Sequence, residues 1–250
     1  MSSNDSPTIG ITYFAEGGEP LKRKLFDRVC SWADLVLLSP EQTHPDLSEM
    51  GLDLYHMARW SWSAYADFER AADAGIPTIN SYHGARITAD RVKSAQAMLD
   101  HGLPFAEFEY GTDDEVTLTP PVIVKPRHEL HDSGHEFRVV YSGDLDFDGA
   151  RIVQRYIVPN RSFKLFSVGE HVRATEIVPG EEEPQEVPVS RYFDELVAEI
   201  ATLFDLELFE LDILVHKAYY IIDVNPVVSL AGVSDALDVY EGLFRSICDA

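Results

Sequence analysis

The sequence predicts an α/β lobe followed by an α+β region, and three observations carry this. Between residues 8 and 80, short β-branched runs alternate with helical stretches over short connections, the pattern of a mainly parallel sheet. From 105 to 178 the texture changes to a succession of strands. Residues 209–226 then read as two apolar runs, 211–215 and 219–224, around a polar break at His216 and Lys217. That is the pattern of a β-hairpin.

Taken in order, 8–14 reads as a strand, 20–33 as a helix, 34–38 as a short buried strand and 52–58 as a third strand. Ser63 reads as the N-cap of a helix running to Ala74 and ended by Gly75, with a further strand at 76–80. Gly17 and Gly18 make only a turn. Without a Gly-x-Gly-x-x-Gly after the first strand, a dinucleotide site in this lobe is not expected. Thr88 reads as the cap of a helix through Leu99, closed near Gly102 with Pro104 beyond it. Strands are expected at 105–110, 121–126, 135–141, 151–157, 163–168 and 171–178, with Pro120 and Pro121 stiffening the entry to the second. The glutamate-rich stretch 180–188 reads as an exposed acidic loop. Ser190 caps a helix to Phe204, the hairpin follows, and 234–247 closes the chain as an amphipathic helix.

Of 250 residues, 45% are apolar, enough for a folded core. No apolar run approaches membrane-spanning length and 1–7 is polar, so a soluble cytoplasmic protein is expected. Cys30 and Cys248 alone support neither a disulfide framework nor a Cys-based zinc site, and both thiols read as buried filler. The balance is 43 acidic against 20 basic residues (6 Lys and 14 Arg), formally −23. Such a surface repels nucleic acid and anionic membranes, and it suits a halophile's high-salt cytoplasm, where mobile ions screen self-repulsion. The charge is uneven, however. Residues 121–176 carry 8 Lys+Arg and 8 Asp+Glu, a neutral centre suited to holding an anion.

Several stretches carry chemistry. In the hairpin, Asp223 and Asn225 share a face of an extended strand, and antiparallel pairing brings Asp212 to the same end. Two carboxylates and an amide oxygen are hard donors suited to a divalent cation, although a solvated hairpin end is the plainer alternative. Val-Ile-Val-Lys-Pro at 122–126 places Lys125 at a strand end, where it needs an anionic partner or a route to solvent. The following loop contains Ser133 and Gly134, whose amides suit phosphate oxygens. Gln154 interrupts the apolar strand 152–157 and reads as an adenine contact or a satisfied core amide. Lys164 lies on the alternating strand 163–169. His128, His131 and His135 have a spacing open to zinc, but no Cys or second ligand cluster supports it.

In this order, with the Asp…Asp-x-Asn hairpin last, residues 80–235 resemble the ATP-grasp superfamily. The resemblance implies an ATP-grasp fold with an N-terminal α/β lobe (1–85), a linker helix and central lid (86–160), and a C-terminal α+β lobe (161–250). By resemblance, Arg91 and Lys125 contact ATP phosphates, with Lys125 also near adenine. Ser133 and Gly134 lie on the lid, and Gln154, Arg155 and Ile157 form the adenine hinge. Lys164 faces the phosphates, and with Arg91 it is the expected catalytic pair. Asp212, Asp223 and Asn225 are the expected Mg²⁺ ligands, with Mn²⁺ as a substitute. Asn225 is followed by Pro-Val-Val-Ser where members commonly carry Asn-x-x-Pro-Gly, and the loop after Lys125 has one glycine where several are common. The implied activity is ATP-dependent carboxylate–amine ligation through an acyl-phosphate, as in the ribosomal-protein glutamate-ligase-like branch. The alternative is a small-molecule kinase, because 163–169 and 224–235 also resemble inositol polyphosphate kinases. The expected partner is a small-molecule or peptide acceptor, with no nucleic acid or membrane and a homo-oligomer left open.

Overall fold

The computed structural model describes residues 6–16, 18–128 and 137–249. Strands β1 (Thr8–Thr12), β2 (Asp34–Leu38), β3 (Leu54–Met57) and β4 (Thr78–Ile79) form a parallel sheet in the order β2-β1-β3-β4. β2 is its edge strand and is only partly buried, so the expectation of a buried strand at 34–38 is corrected. Helix α1 (Pro20–Val29) links β1 to β2, and α2 (Trp62–Asp73) links β3 to β4. The cap of α2 is Ser61, which accepts from the Ala64 amide at 2.9 Å, and not Ser63. Cys30, just past α1, is exposed, so it is not the buried filler expected, whereas Cys248 is half-buried and packs against the core.

Two helices stand where one was expected. α3 (Tyr82–Thr88) is capped by Ser81 and α4 (Arg91–Asp100) by Asp90. Thr88 is no cap; it ends α3 with its hydroxyl donating to the Gly84 carbonyl at 3.0 Å.

The centre of the chain is an antiparallel sheet of β5 (Phe108–Gly111), β6 (Val122–Lys125), β7 (Arg138–Val140) and β8 (Arg151–Arg155), ordered β5-β8-β6-β7. The C-terminal part holds β9 (Arg161–Val168), β10 (His171–Ile177), β11 (Gln185–Val187), α5 (Arg191–Phe204), β12 (Leu208–Val215), β13 (Tyr219–Asn225) and α6 (Ala236–Cys248). Its sheet runs β11-β10-β9-β12-β13, antiparallel throughout. β11 corrects the expectation of a loop over 180–188, because Gln185, Glu186 and Val187 pair with the edge of β10. Ser190 caps α5 as expected, accepting from the Phe193 amide.

The two faces of this last sheet have different fates, as strand alternation requires. On one face α5 packs Phe193, Leu196, Val197 and Ile200 over Phe163, Leu165, Leu211 and Ile213. The other face carries Phe166, Val168 and Leu208 into a core shared with β1, α1 and α6. Lys164, Glu210 and Asp212 alternate with the α5-facing residues, so they share the face of Phe166 and Leu208 but lie toward its other end. Asn80, at the end of β4, fastens the two regions. Its side chain donates to the Leu208 and Pro226 carbonyls (2.7 and 3.4 Å) and accepts from the Glu207 and Leu208 amides (2.9 and 2.6 Å).

Candidate functional site

The hairpin of β12 and β13 pairs Glu210 with Asn225, Leu211 with Val224 and Asp212 with Asp223. β9 lies on the other side of β12 and sets Lys164 opposite Asp212. Lys164, Asp212 and Asp223 therefore form one row across three strands. A register shift after Asp212 pairs Ile213 with Ile221 and leaves Ile222 as a bulge. In a regular strand Ile221 and Asp223 would share a face. The extra residue lets Ile221 pack in the α5 core while Asp223 stands beside Asp212.

The Lys164 ammonium donates to Asp212 Oδ1 and Glu210 Oε1, both at 2.8 Å. Burial alone would depress the Lys164 pKa, but Asp212 and Glu210 outweigh it and hold the amine above its usual range, fully charged. One ammonium serves two carboxylates. Burial therefore holds Asp212 above the usual carboxylate range, with Glu210 and Asp223 adding to it against the pull of Lys164. Glu210 is 5% exposed, and its other oxygen accepts from the Ser229 amide and hydroxyl, each at 2.8 Å. Sequence reasoning missed Glu210 and Ser229. The signal was available: Glu210 stands two before Asp212 in an otherwise apolar strand.

Arg91, the first residue of α4, reaches the hairpin from the opposite side. Its guanidinium stands 3.6 Å from Asp223 Oδ2 and donates to the Pro126 carbonyl at 3.3 Å. It is placed by Asp90, whose carboxylate accepts from the Val92 and Lys93 amides and takes a two-pronged bond from Arg127 at 2.9 and 2.7 Å. Burial would raise the Asp90 pKa, yet Arg127 and the Lys93 amide bring it below the usual value. The pair of Asp90 and Arg127 was also not anticipated. Lys125 donates to the Ile222 carbonyl at 3.1 Å.

Arg91, Lys125, Gln154, Ile222 and Asp223 line one cavity with Met98 and Phe105, between α4, the central sheet and the hairpin. Four expected site residues thus meet in one place. Gln154 is 2% exposed, and among the described residues its side-chain oxygen has no hydrogen-bond partner. Arg155 turns away, its guanidinium on Glu107 Oε2 at 3.0 Å and the Thr119 carbonyl at 3.0 Å. Ile157 is half-buried between β8 and β9. Ser133, Gly134, His131 and His135 lie outside the described residues; His128 stands beside Ala89 and Trp62. Among the described residues no three His, Cys, Asp or Glu side chains are grouped to hold a metal ion. The expected set is two carboxylates and an amide, and among the described residues the buried Asn225 side-chain oxygen has no hydrogen-bond partner. That orphaned hard donor beside Asp223 fits a divalent cation. Among the same residues no helix is long and apolar enough to cross a membrane.

No protein-family model matches the chain, and no curated protein matches it. Solved structures do. A RimK-domain ATP-grasp protein from Sphaerobacter thermophilus aligns with TM-score 0.77 at 15% identity, over 97% of this chain and 100% of that one. The ADP complex of PurK, an N5-carboxyaminoimidazole ribonucleotide synthetase, aligns with TM-score 0.75 at 15% identity, over 98% and 77%. The ATP-grasp ligase PsnB, solved with a precursor peptide and AMPPNP, aligns with TM-score 0.70 at 12% identity, over 99% of both chains.

Proposed function

Starting from the ATP-grasp fold that this chain has, we propose that it is an ATP- and Mg²⁺-dependent carboxylate–amine ligase acting through an acyl-phosphate. The observation that supports it most is the row of Lys164, Asp212 and Asp223, whose Asp223 lines one cavity with Arg91 and Lys125. In a chain of charge −23, a polyanionic nucleotide needs such local cations.

In this reading Arg91, Lys125 and Lys164 hold phosphate oxygens, and the free Gln154 oxygen accepts from the adenine amine. Ile157 supplies hinge backbone, Arg155 braces the hinge through Glu107, and Ser133 and Gly134 cover the phosphates. Asp212, Asp223 and Asn225 would hold Mg²⁺, which supplies charge neutralisation at the phosphates, and Mn²⁺ would substitute. An acceptor carboxylate oxygen attacks the γ-phosphorus, the bond to the bridging oxygen breaks, and ADP leaves. An amine then attacks the acyl carbon, loses its proton, and expels inorganic phosphate. Lys164 and Arg91 stabilise the charge that develops on the transferring group. The acceptor is a small molecule or a peptide; the PsnB ligase was solved with a peptide. The proposed division into 1–85, 86–160 and 161–250 assigns the acceptor wall, the lid and the metal-holding floor respectively.

The test is a screen for ADP and phosphate release across acids and amines. Phosphate release that requires both an acid and an amine is expected. Transfer of labelled γ-phosphate onto a polyol would overturn ligation.

A further inference from the structure

The parallel sheet is ordered β2-β1-β3-β4, so the chain leaves β1 toward one edge and returns on its other side. The switch point lies between β1 and β3. In open α/β sheets, ligands bind in the crevice beyond the carboxyl ends of the strands at such a point. Two side chains meet across this one. Phe14 follows β1, Arg59 follows β3, and the Arg59 guanidinium stands over the Phe14 ring at 5.4 Å.

Arg59 is exposed, and among the described residues its guanidinium makes no hydrogen bond or ion pair. Among the described residues Arg86 and Arg151 share that state, whereas most of the chain's arginines are paired. The guanidinium groups of Arg28, Arg70, Arg155, Arg161, Arg173 and Arg245 each sit on a carboxylate. With 43 acids to 20 bases, a cation held on an aromatic ring and, among the described residues, on no carboxylate keeps its donors for something else.

The crevice also leads toward the cavity. Three residues past Arg59, Trp62 is 57% exposed and meets His128 at 6.0 Å between ring centroids. His128 bridges to Asp90, the cap that places Arg91 against Asp223. Three residues span at most about 11 Å. A ligand anchored at Arg59 therefore lies within a short peptide's length of the segment that carries Arg91.

We propose that Arg59, with Trp62 beside it, forms an acceptor subsite for an oxyanion remote from the reacting carboxylate. The acceptor is then a molecule with at least two acidic groups. This rests on the ligase reading for the identity of the occupant, but the binding it asserts is measurable without turnover. A planar guanidinium takes a carboxylate or a phosphate through paired N–H donors, and Trp62 offers a flat apolar surface for the intervening atoms.

The experiment is calorimetric titration of the Mg·ADP-loaded protein with glutamyl-glutamate, with its amidated counterpart glutaminyl-glutamine, and with phosphoserine. Tryptophan fluorescence serves as a second readout, assigned with Trp62→Phe. The acidic probes should bind saturably, with the better of the two telling carboxylate from phosphate. The amidated peptide should bind at least tenfold more weakly. Arg59→Gln should lose the acidic probes at least tenfold while keeping the wild-type melting midpoint, and Arg59→Lys should recover part of the affinity. Equal affinity for the amidated peptide, wild-type binding by Arg59→Gln, or no binding by any probe would overturn the subsite. Probe binding without acid- and amine-dependent phosphate release would instead leave the subsite standing and sink the ligase reading.

Discussion

The Lys125 ammonium donates to the carbonyl of Ile222, 3.1 Å away, and Ile222 is the residue that the register of β12 and β13 leaves unpaired. The bulge that turns Asp223 toward Asp212 thus also frees the carbonyl that holds Lys125. Lys125→Met should weaken Mg·ADP binding about tenfold to a hundredfold, the equivalent of ~1.5–3 kcal/mol for a hydrogen bond to a charged group. Equilibrium titration checks this, and an unchanged affinity would remove Lys125 from the nucleotide site.

Asp223→Asn should abolish most Mg²⁺-dependent ADP release and leave the melting midpoint near wild type. The carboxylate lines the cavity 3.6 Å from Arg91 and accepts from the adjacent Val224 amide, a contact an asparagine oxygen keeps. Asp212→Asn should lower turnover too, and it also removes one of the two carboxylates on Lys164. Wild-type turnover by Asp223→Asn at limiting Mg²⁺ would show that the cation is held elsewhere.

His56 is buried, with Nε2 on the Tyr240 hydroxyl at 2.8 Å and Nδ1 near the Ile79 carbonyl at 3.3 Å. Burial, with the Lys22 ammonium adding, pushes its pKa down to about 3. Unfolded, it titrates near ~6.5. Across that window the unfolded chain binds a proton that the folded one refuses, so stability falls as pH drops from about 6.5 toward 3. Urea midpoints measured over this range should decline, and the decline should be shallower in His56→Gln than in wild type.

Gly84 lies inside α3, where an added Cβ would stand 1.9 Å from the Phe204 carbonyl oxygen. Helix propensity favours alanine there by about 1 kcal/mol. The backbone clash wins, because overpacking a close contact costs ~1–3 kcal/mol or more. Gly84→Ala should therefore lower the urea midpoint; a rise would mean that α3 and α5 can move apart freely.

At a formal charge of −23, self-repulsion opposes the compact state at low ionic strength, and mobile ions relieve it. The melting midpoint should rise from low to molar KCl. A flat response would count against a chain adapted to high salt.

The elements that read well from sequence are those with strong local signals. Ser190 caps α5 because a serine precedes a long apolar stripe, and the hairpin runs are bounded by His216 and Lys217. α3 did not read, because its central glycine answers to the Phe204 carbonyl, a contact made 120 residues away. Ser61 and Ser63 flank the same tryptophan, so spacing alone could not choose between them as the cap of α2. Of the residues expected at the site, Arg91, Lys125, Gln154 and Asp223 line one cavity. Glu210 carried a local signal, a charge in an apolar strand, but its partners Lys164 and Ser229 lie elsewhere in the sequence and only the fold brings them to it.

The four bonds of Asn80 have a mechanical consequence. One amide just past a two-residue strand grips the start of β12 and the residue after β13, so the roots of the hairpin are riveted to the parallel sheet. The parallel sheet, with Arg59 just past β3, and the hairpin, with its row at Asp223, are therefore joined directly through one side chain. The central sheet meets the hairpin through Phe105 and Ala106 beside Ile221 and through Lys125 on Ile222.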